Sequence, residues 1–131
     1  MMVSDTIGRW YPQLQIIKSL NANNSKEFIS ENFDGVYYGK SSGYLAINIA
    51  YIMGCNPIYL LGFDLEGKHF HDGYGKRMNE RLEQDHKIIG KELIVGITEI
   101  QARGTTICSM SPMSILNEYI PFASVRDIIW S

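Results

Sequence analysis

Three short clusters in this chain carry side chains suited to chemistry. The densest is His69-Phe70-His71-Asp72. Histidine changes charge near neutral pH, which makes it the natural general base. A neighbouring carboxylate, Asp64 or Asp72, can fix its tautomer. The same two histidines with an aspartate also make an acceptable ligand set for a divalent metal. The glycines around them, Gly67, Gly73 and Gly75, do not fix a ligand geometry. Two solvated loop histidines account for the residues equally well. The second cluster is Ser41-Ser42-Gly43. At the start of a helix it offers hydroxyls, backbone N–H groups and the positive end of the helix dipole, which suit a phosphate or carboxylate. An ordinary N-cap is the plainer explanation. The third is Gly62-Phe63-Asp64. A carboxylate at a strand end can accept ribose hydroxyls, orient a histidine or help hold a metal. It can also simply bond to N–H groups of the following turn.

Other residues flank these clusters. Lys76, Arg77 and Arg81 place positive charge beside the histidine loop, where a phosphate would be neutralised; a solvated helix start is the alternative. Tyr37, Tyr38, Tyr44 and Tyr74 can stack on a base or sugar, and aromatic packing explains them as well. His86 stands among charges and is expected on the surface. There is no dinucleotide-binding glycine fingerprint, no P-loop and no nucleophile elbow.

The elements that must position these residues alternate. Ser41 or Ser42 can cap a helix that is apolar almost all round from Tyr44 to Met53, with Asn48 its one polar interruption. Such a helix must be buried on more than one side. Gly54 suits its end, and Pro57 stops continuation. Ile58 to Phe63 is an unbroken apolar run, as in a central parallel strand covered on both faces. Residues 65–77 read as a surface loop. A long helix follows, roughly Met78 to Arg103, with Leu82, Ile89, Leu93, Ile97 and Ile100 as its stripe. Gly90 and Gly96 either kink it or allow close packing, and Gly104 suits its end. Thr105 to Ser109 reads as a strand, Ser111-Pro112 as a turn, and Ser124 to Trp130 as a terminal helix. Before residue 36 the pattern is weaker. Ile7 to Tyr11 suits a short helix, Leu14 to Ile17 a short strand, and Asn24 or Ser25 a cap for a helix through Glu31. Val36 to Tyr38 is short and β-favouring. The alternation implies a mostly parallel sheet with helices on its faces, as one α/β domain across residues 1–131. Ligands of such sheets bind outside the carboxyl ends of the strands, where all three clusters fall.

Composition narrows the class. The 45% hydrophobic and 20% charged fractions argue against disorder. A net charge of -2 gives no basic field for nucleic acid. Pro57 and the polar residues around it break the apolar window Tyr44 to Phe63, so no membrane span is expected. The N-terminus lacks the pattern of a signal peptide. Cys55 and Cys108 form no CxxC and are expected as buried thiols in a reducing cytoplasm.

At SSGYLAINIAYIMGCNPIYLLGFDL the chain resembles a family of phage-encoded glycosyltransferase-like proteins. These are related to the bacterial sialyltransferases of glycosyltransferase family 42 and to the archaeal 6-hydroxymethylpterin pyrophosphokinase group. The shared pattern is Ser-Gly, an Ala-bearing apolar helix ending in Gly, then IYLLG-x-D. KHFHDGYG and CSMSPMSIL match the histidine loop and Ser-Pro turn that follow. The resemblance covers roughly residues 36–131. It implies a three-layer Rossmann-like domain. It also implies a CMP-sugar type of nucleotide-sugar at Ser41, Ser42, Gly43, Phe63 and Asp64. His71 or His69 would be the base on the acceptor hydroxyl. The family normally begins with another strand and a nucleotide-binding loop, which residues 1–35 do not display, so the domain reads as truncated at its N-terminus. Two other expectations stand beside transfer of a sugar. One is a non-catalytic, oligomeric phage or prophage accessory protein on the same scaffold. The other is pyrophosphokinase-like phosphoryl transfer with a divalent metal. No further cofactor is expected.

Overall fold

The structure, a computed structural model, describes residues 19–20, 29–32, 34–37, 41–65 and 76–129; for 19–20 and 76–83 it describes the backbone alone. The expected elements at 7–11 and 14–17, and the loop bearing His69, His71 and Asp72, lie outside these residues.

The order is β1 (Ser19–Leu20), β2 (Val36–Tyr37), α1 (Ser42–Ile52), β3 (Ile58–Leu60), α2 (Lys76–Ala102), β4 (Ile107–Ser109), a 3₁₀ helix (Ile115–Glu118) and α3 (Val125–Ile129). Strands pair in parallel, β1 with β2 and β3 with β4. In the second pair Ile58 stands opposite Ile107 and Leu60 opposite Ser109. The far side of β4 is also used. Ser109 N–H donates to the Pro121 carbonyl at 2.9 Å, and Ala123 N–H donates to the Ser109 carbonyl at 2.8 Å. The chain is therefore a mixed α/β protein with small parallel strand pairs.

Local chemistry sets the helix bounds. Ser41 is extended, and its Oγ accepts the Tyr44 N–H, the standard N-cap bond. At the other end Gly54 takes φ +78. Gly54 N–H then donates to the Tyr51 carbonyl and Cys55 N–H to Ala50, the paired bonds of a Schellman end. α2 ends the same way, with Gly104 at φ +94 and the N–H groups of Gly104 and Thr105 donating to Gln101 and Ile100. α1 packs against β2, β3 and α2, as its all-round apolar surface requires.

The core lies between these elements. Leu93, Ile97 and Ile100 of α2 meet Tyr44 and Ile47 of α1, together with Ile58, Leu60, Ile107 and Leu116. Each such side chain contributes roughly 1.5–3 kcal/mol by leaving water. α2 runs through Gly90 and Gly96 without interruption. Both serve close approach. A Cβ at Gly96 would fall 3.0 Å from the Tyr44 hydroxyl, and one at Gly90 would fall 2.9 Å from Ile115 Cδ1.

Several expectations are corrected. β3 stops at Leu60 rather than Phe63, because Gly62 at φ +76 turns the chain out of the strand. Nor is β3 covered on both faces: Tyr59 is 40% exposed. Ile29 to Asn32 are not helical, since Ser30 bonds to the Asn48 side chain instead of to a helix ladder. α2 begins at Lys76, so Lys76 and Arg77 belong to a helix and not to the loop. Cys55 is exposed, because it follows the α1 terminus on the outside of the turn. Among the described residues no helix is long and apolar enough to cross a membrane.

Candidate functional site

The start of α1 meets the segment that follows β3. The Ser41–Gly43 turn follows β2, and the Gly62–Asp64 segment follows β3. A side chain added at Gly43 would put its Cβ 2.7 Å from Phe63 Cε1, so the Phe63 ring lies directly against the α1 start. Only glycine admits that approach. Within this start, Ser41 Oγ takes the Tyr44 N–H at 3.2 Å and the Ser41 carbonyl takes the Leu45 N–H at 3.4 Å. The N–H groups of Ser42 and Gly43 have no acceptor among the described residues. They are the donors that a helix start leaves over for an anion. Ser42 is exposed, and Ser41 is half-buried.

A third segment fastens this junction. Ser114 Oγ donates to the Phe63 carbonyl at 2.5 Å and accepts the Leu116 N–H at 3.2 Å. The Ser-Pro turn is itself tied down, with Asn117 Nδ2 donating to the Ser111 and Pro112 carbonyls at 3.0 and 3.1 Å. Ser114 was not singled out in the sequence; its only signal is the serine two residues beyond the Ser-Pro turn. Beyond Phe63, Asp64 is exposed and Leu65 takes φ 56. The left-handed region is costly for a bulky side chain, on the order of 1–2 kcal/mol.

Two of the three clusters are thus together, with the Ser-Pro turn added. His69 and His71 lie outside the described residues. Arg77 stands in the first turn of α2 with its side chain likewise outside them. His86 is half-buried rather than on the surface, and its Nδ1 is buried with no hydrogen-bond partner among the described residues. It shares a helix face with Gly90, which packs close to Ile115 and Leu65. Tyr37 and Tyr44 are buried core residues, so neither offers a stacking face. Burial above all, then the charges of Glu99 and Glu92, holds the Tyr44 phenol well above the ordinary range and neutral. Burial also pushes the Cys108 thiol up, which removes thiolate character. Among the described residues no three His, Cys, Asp or Glu side chains gather as a metal site.

The opposite edge holds a feature that no motif announced. Between the loop before β2 and the end of α2 lies an open cleft of about 430 Å³. Arg103 lines it, donating to Glu31 at 2.9 Å and to Glu99 at 2.6 Å. Its guanidinium is held more firmly protonated than usual, first by a hydrogen bond with Tyr51 and then by these carboxylates. The contacting residues are far apart in the chain, so their spacing carries no local signal. No family model, curated protein or solved structure matches the chain.

Proposed function

We propose that this protein binds a nucleotide-sugar, of the CMP-sugar type, at the carboxyl edge of its parallel strands and is a glycosyltransferase-like protein of three-layer Rossmann-like organisation. The observation that carries the reading is the junction of the α1 start with Phe63, where the Ser42 and Gly43 N–H groups have no acceptor among the described residues and Asp64 is the next residue of the chain after Phe63. Phosphate would sit on the Ser42 and Gly43 N–H groups with the Ser41 and Ser42 hydroxyls beside them. Arg77 would add positive charge. Asp64 would accept sugar hydroxyls. His71, or His69 next to it, would remove the acceptor proton, as the sequence resemblance implies. Inverting transfer needs one positioned base and stabilisation of the leaving phosphate, which this set supplies in kind.

Ser42→Pro tests the site without dismantling it. Ser42 is the first helical residue, where proline is well tolerated. Ser41 before it is already extended, at φ -139 and ψ 148, as a residue preceding proline prefers. The variant loses one N–H and one hydroxyl at the proposed phosphate and should keep its melting temperature in buffer. CMP or CDP should raise the melting temperature of the parent protein. In the variant the affinity should fall roughly tenfold, the size of one charge-assisted hydrogen bond. Equal nucleotide-induced shifts in parent and variant would remove phosphate from the α1 start. No shift in the parent with any nucleotide or nucleotide-sugar, with or without Mg²⁺, would remove the reading itself.

One observation favours a second reading, the non-catalytic oligomer. Leu61 and Met113, both 74% exposed, stand after β3 and β4 at the same edge. Large apolar side chains held out to solvent together are a feature of association surfaces. Light scattering that finds a strict monomer at high concentration removes this alternative.

A further inference from the structure

We infer that Ser114 is a positioning residue of the carboxyl-edge site: by holding the Phe63–Asp64 peptide it keeps the Phe63 ring on the α1 start, and so raises the affinity of the Ser42 and Gly43 N–H groups for phosphate. The inference rests on the reading of that edge as a nucleotide site. Its basis is a contrast between two segments. Gly62 to Leu65 belongs to no helix or strand, and Gly62 and Leu65 take φ of +76 and 56. Among the described residues one hydrogen bond reaches this segment, from Ser114 Oγ to the Phe63 carbonyl at 2.5 Å. Backbone that has left its strand has no ladder to fix it. Ser114, by contrast, is fixed from several sides. It is 5% exposed. Its N–H donates to the Ser111 carbonyl at 3.1 Å, and its Oγ accepts the N–H of Leu116, a fully buried core residue. The hydroxyl has one proton to give, and it goes to Phe63.

The Phe63 carbonyl shares the plane of the Phe63–Asp64 peptide. Anchoring it therefore sets the approach of the ring on one side and the departure of Asp64 on the other. The ring lies against Gly43, where an added Cβ would fall 2.7 Å from Cε1 and 3.0 Å from Cζ. It is half-buried and packs against the core on one side only. Water is kept from the part of the α1 start that the ring covers. A hydrogen bond from an N–H to an anion strengthens as its surroundings lose water. The Ser42 and Gly43 N–H groups, with no acceptor among the described residues, are the donors that gain. A ring released from this place would leave α1 intact, with its first N–H groups as ordinary solvated donors. Ser114 acts through Phe63.

The experiment takes two measurements on the full chain. One is the affinity for CMP and CDP by calorimetry. The other is the Gly43 α-proton shifts without ligand, which the Phe63 ring current displaces. Ser114→Ala should weaken nucleotide binding roughly fivefold, and should bring the Gly43 shifts toward those of an ordinary glycine. Ser114→Thr keeps the hydroxyl and should restore both. Ser114→Cys keeps the volume with a weak donor; it should lie between, and it replaces the alanine variant if that one does not fold. Phe63→Leu should weaken binding by a similar factor. The double variant with Ser114→Ala should be no weaker than either alone, because both act through one ring. Ile107→Val, which loses core volume at the amino end of β4, should bind as the parent does; this separates positioning from loss of stability. Gly43 shifts unmoved by Ser114→Ala overturn the inference. So do additive losses in the double variant, or a loss in Ile107→Val as large as in Ser114→Ala. A parent whose binding is weakened by Ser42→Pro and not by Ser114→Ala overturns the inference and leaves the site standing. A parent that binds neither nucleotide removes the inference at its foundation.

Discussion

Asn48 is 1% exposed in the middle of an otherwise apolar helix. Both ends of its amide are spent on backbone. The oxygen accepts the Ser30 N–H, and the nitrogen donates to the Tyr37 carbonyl. The bonds span 18 and 11 residues of sequence. A two-residue strand offers few ladder bonds, so a side-chain amide here does work that a longer strand would do for itself. Asn48→Leu keeps the volume and removes both bonds. It should cost about 2–4 kcal/mol, because Ser30 N–H and one bond to Tyr37 are left unmade in a buried setting. Urea unfolding measures this, and a midpoint equal to that of the parent would show the amide to be dispensable. The sequence marked Asn48 as the lone polar residue of the helix but held no hint of its partners. Local pattern reports that a polar group is buried; it does not report which distant backbone satisfies it. The same limit hid Ser114, whose bond to Phe63 spans 51 residues.

α2 shows how far an element can be read ahead of its contacts. Its stripe, its length and its Gly104 terminus follow from periodicity and capping chemistry, which are local. The roles of Gly90 and Gly96 are not local, because a glycine that kinks a helix and one that admits a neighbour look alike in sequence. Here both admit neighbours, and the neighbours differ. Ile115 Cδ1 is the far tip of a flexible, half-buried side chain. Tyr44 is a buried ring pinned between α1 and α2. Alanine in place of glycine favours a helix by about 1 kcal/mol. In Gly90→Ala the Ile115 tip swings aside and the change should lie within about 1 kcal/mol of neutral. In Gly96→Ala the rigid ring must shift, and overpacking of roughly 1–3 kcal/mol should outweigh the gain. A pair of thermal melts checks the order; a Gly96→Ala protein more stable than Gly90→Ala would refute it. β3 illustrates the converse failure. Its apolar run continues to Phe63, yet the strand ends at Leu60, because one positive φ at Gly62 outweighs a favourable composition.

At the scale of the molecule, two contacts orient the strand pairs. Gly43 against Phe63 sets the start of α1 on the segment after β3, while Arg103 with Glu31 brings together the chain just before β4 and just before β2. Neither contact holds much of the structure. The ion pair is largely exposed and worth at most about 1 kcal/mol. Cohesion comes from the layer in which α1 and α2 lie against the strands. Ile97, 2% exposed, sits at its centre beside Tyr44, Ile47 and Asn48. That region already contains a small void of about 10 Å³, so it is not perfectly filled. Ile97→Ala should enlarge the void and cost about 2–5 kcal/mol. Because the side chain stands where α1, α2 and the strands share one core, the loss should appear in a single cooperative step. Far-ultraviolet circular dichroism, which follows the helices, and tyrosine fluorescence should give coincident midpoints, lowered together. Separate transitions in the variant would mean that β1–β2 and β3–β4 belong to independently folding units. The shared core argues against that outcome: α1 buries its residues against β2, β3 and α2 at once, so neither strand pair can lose it alone.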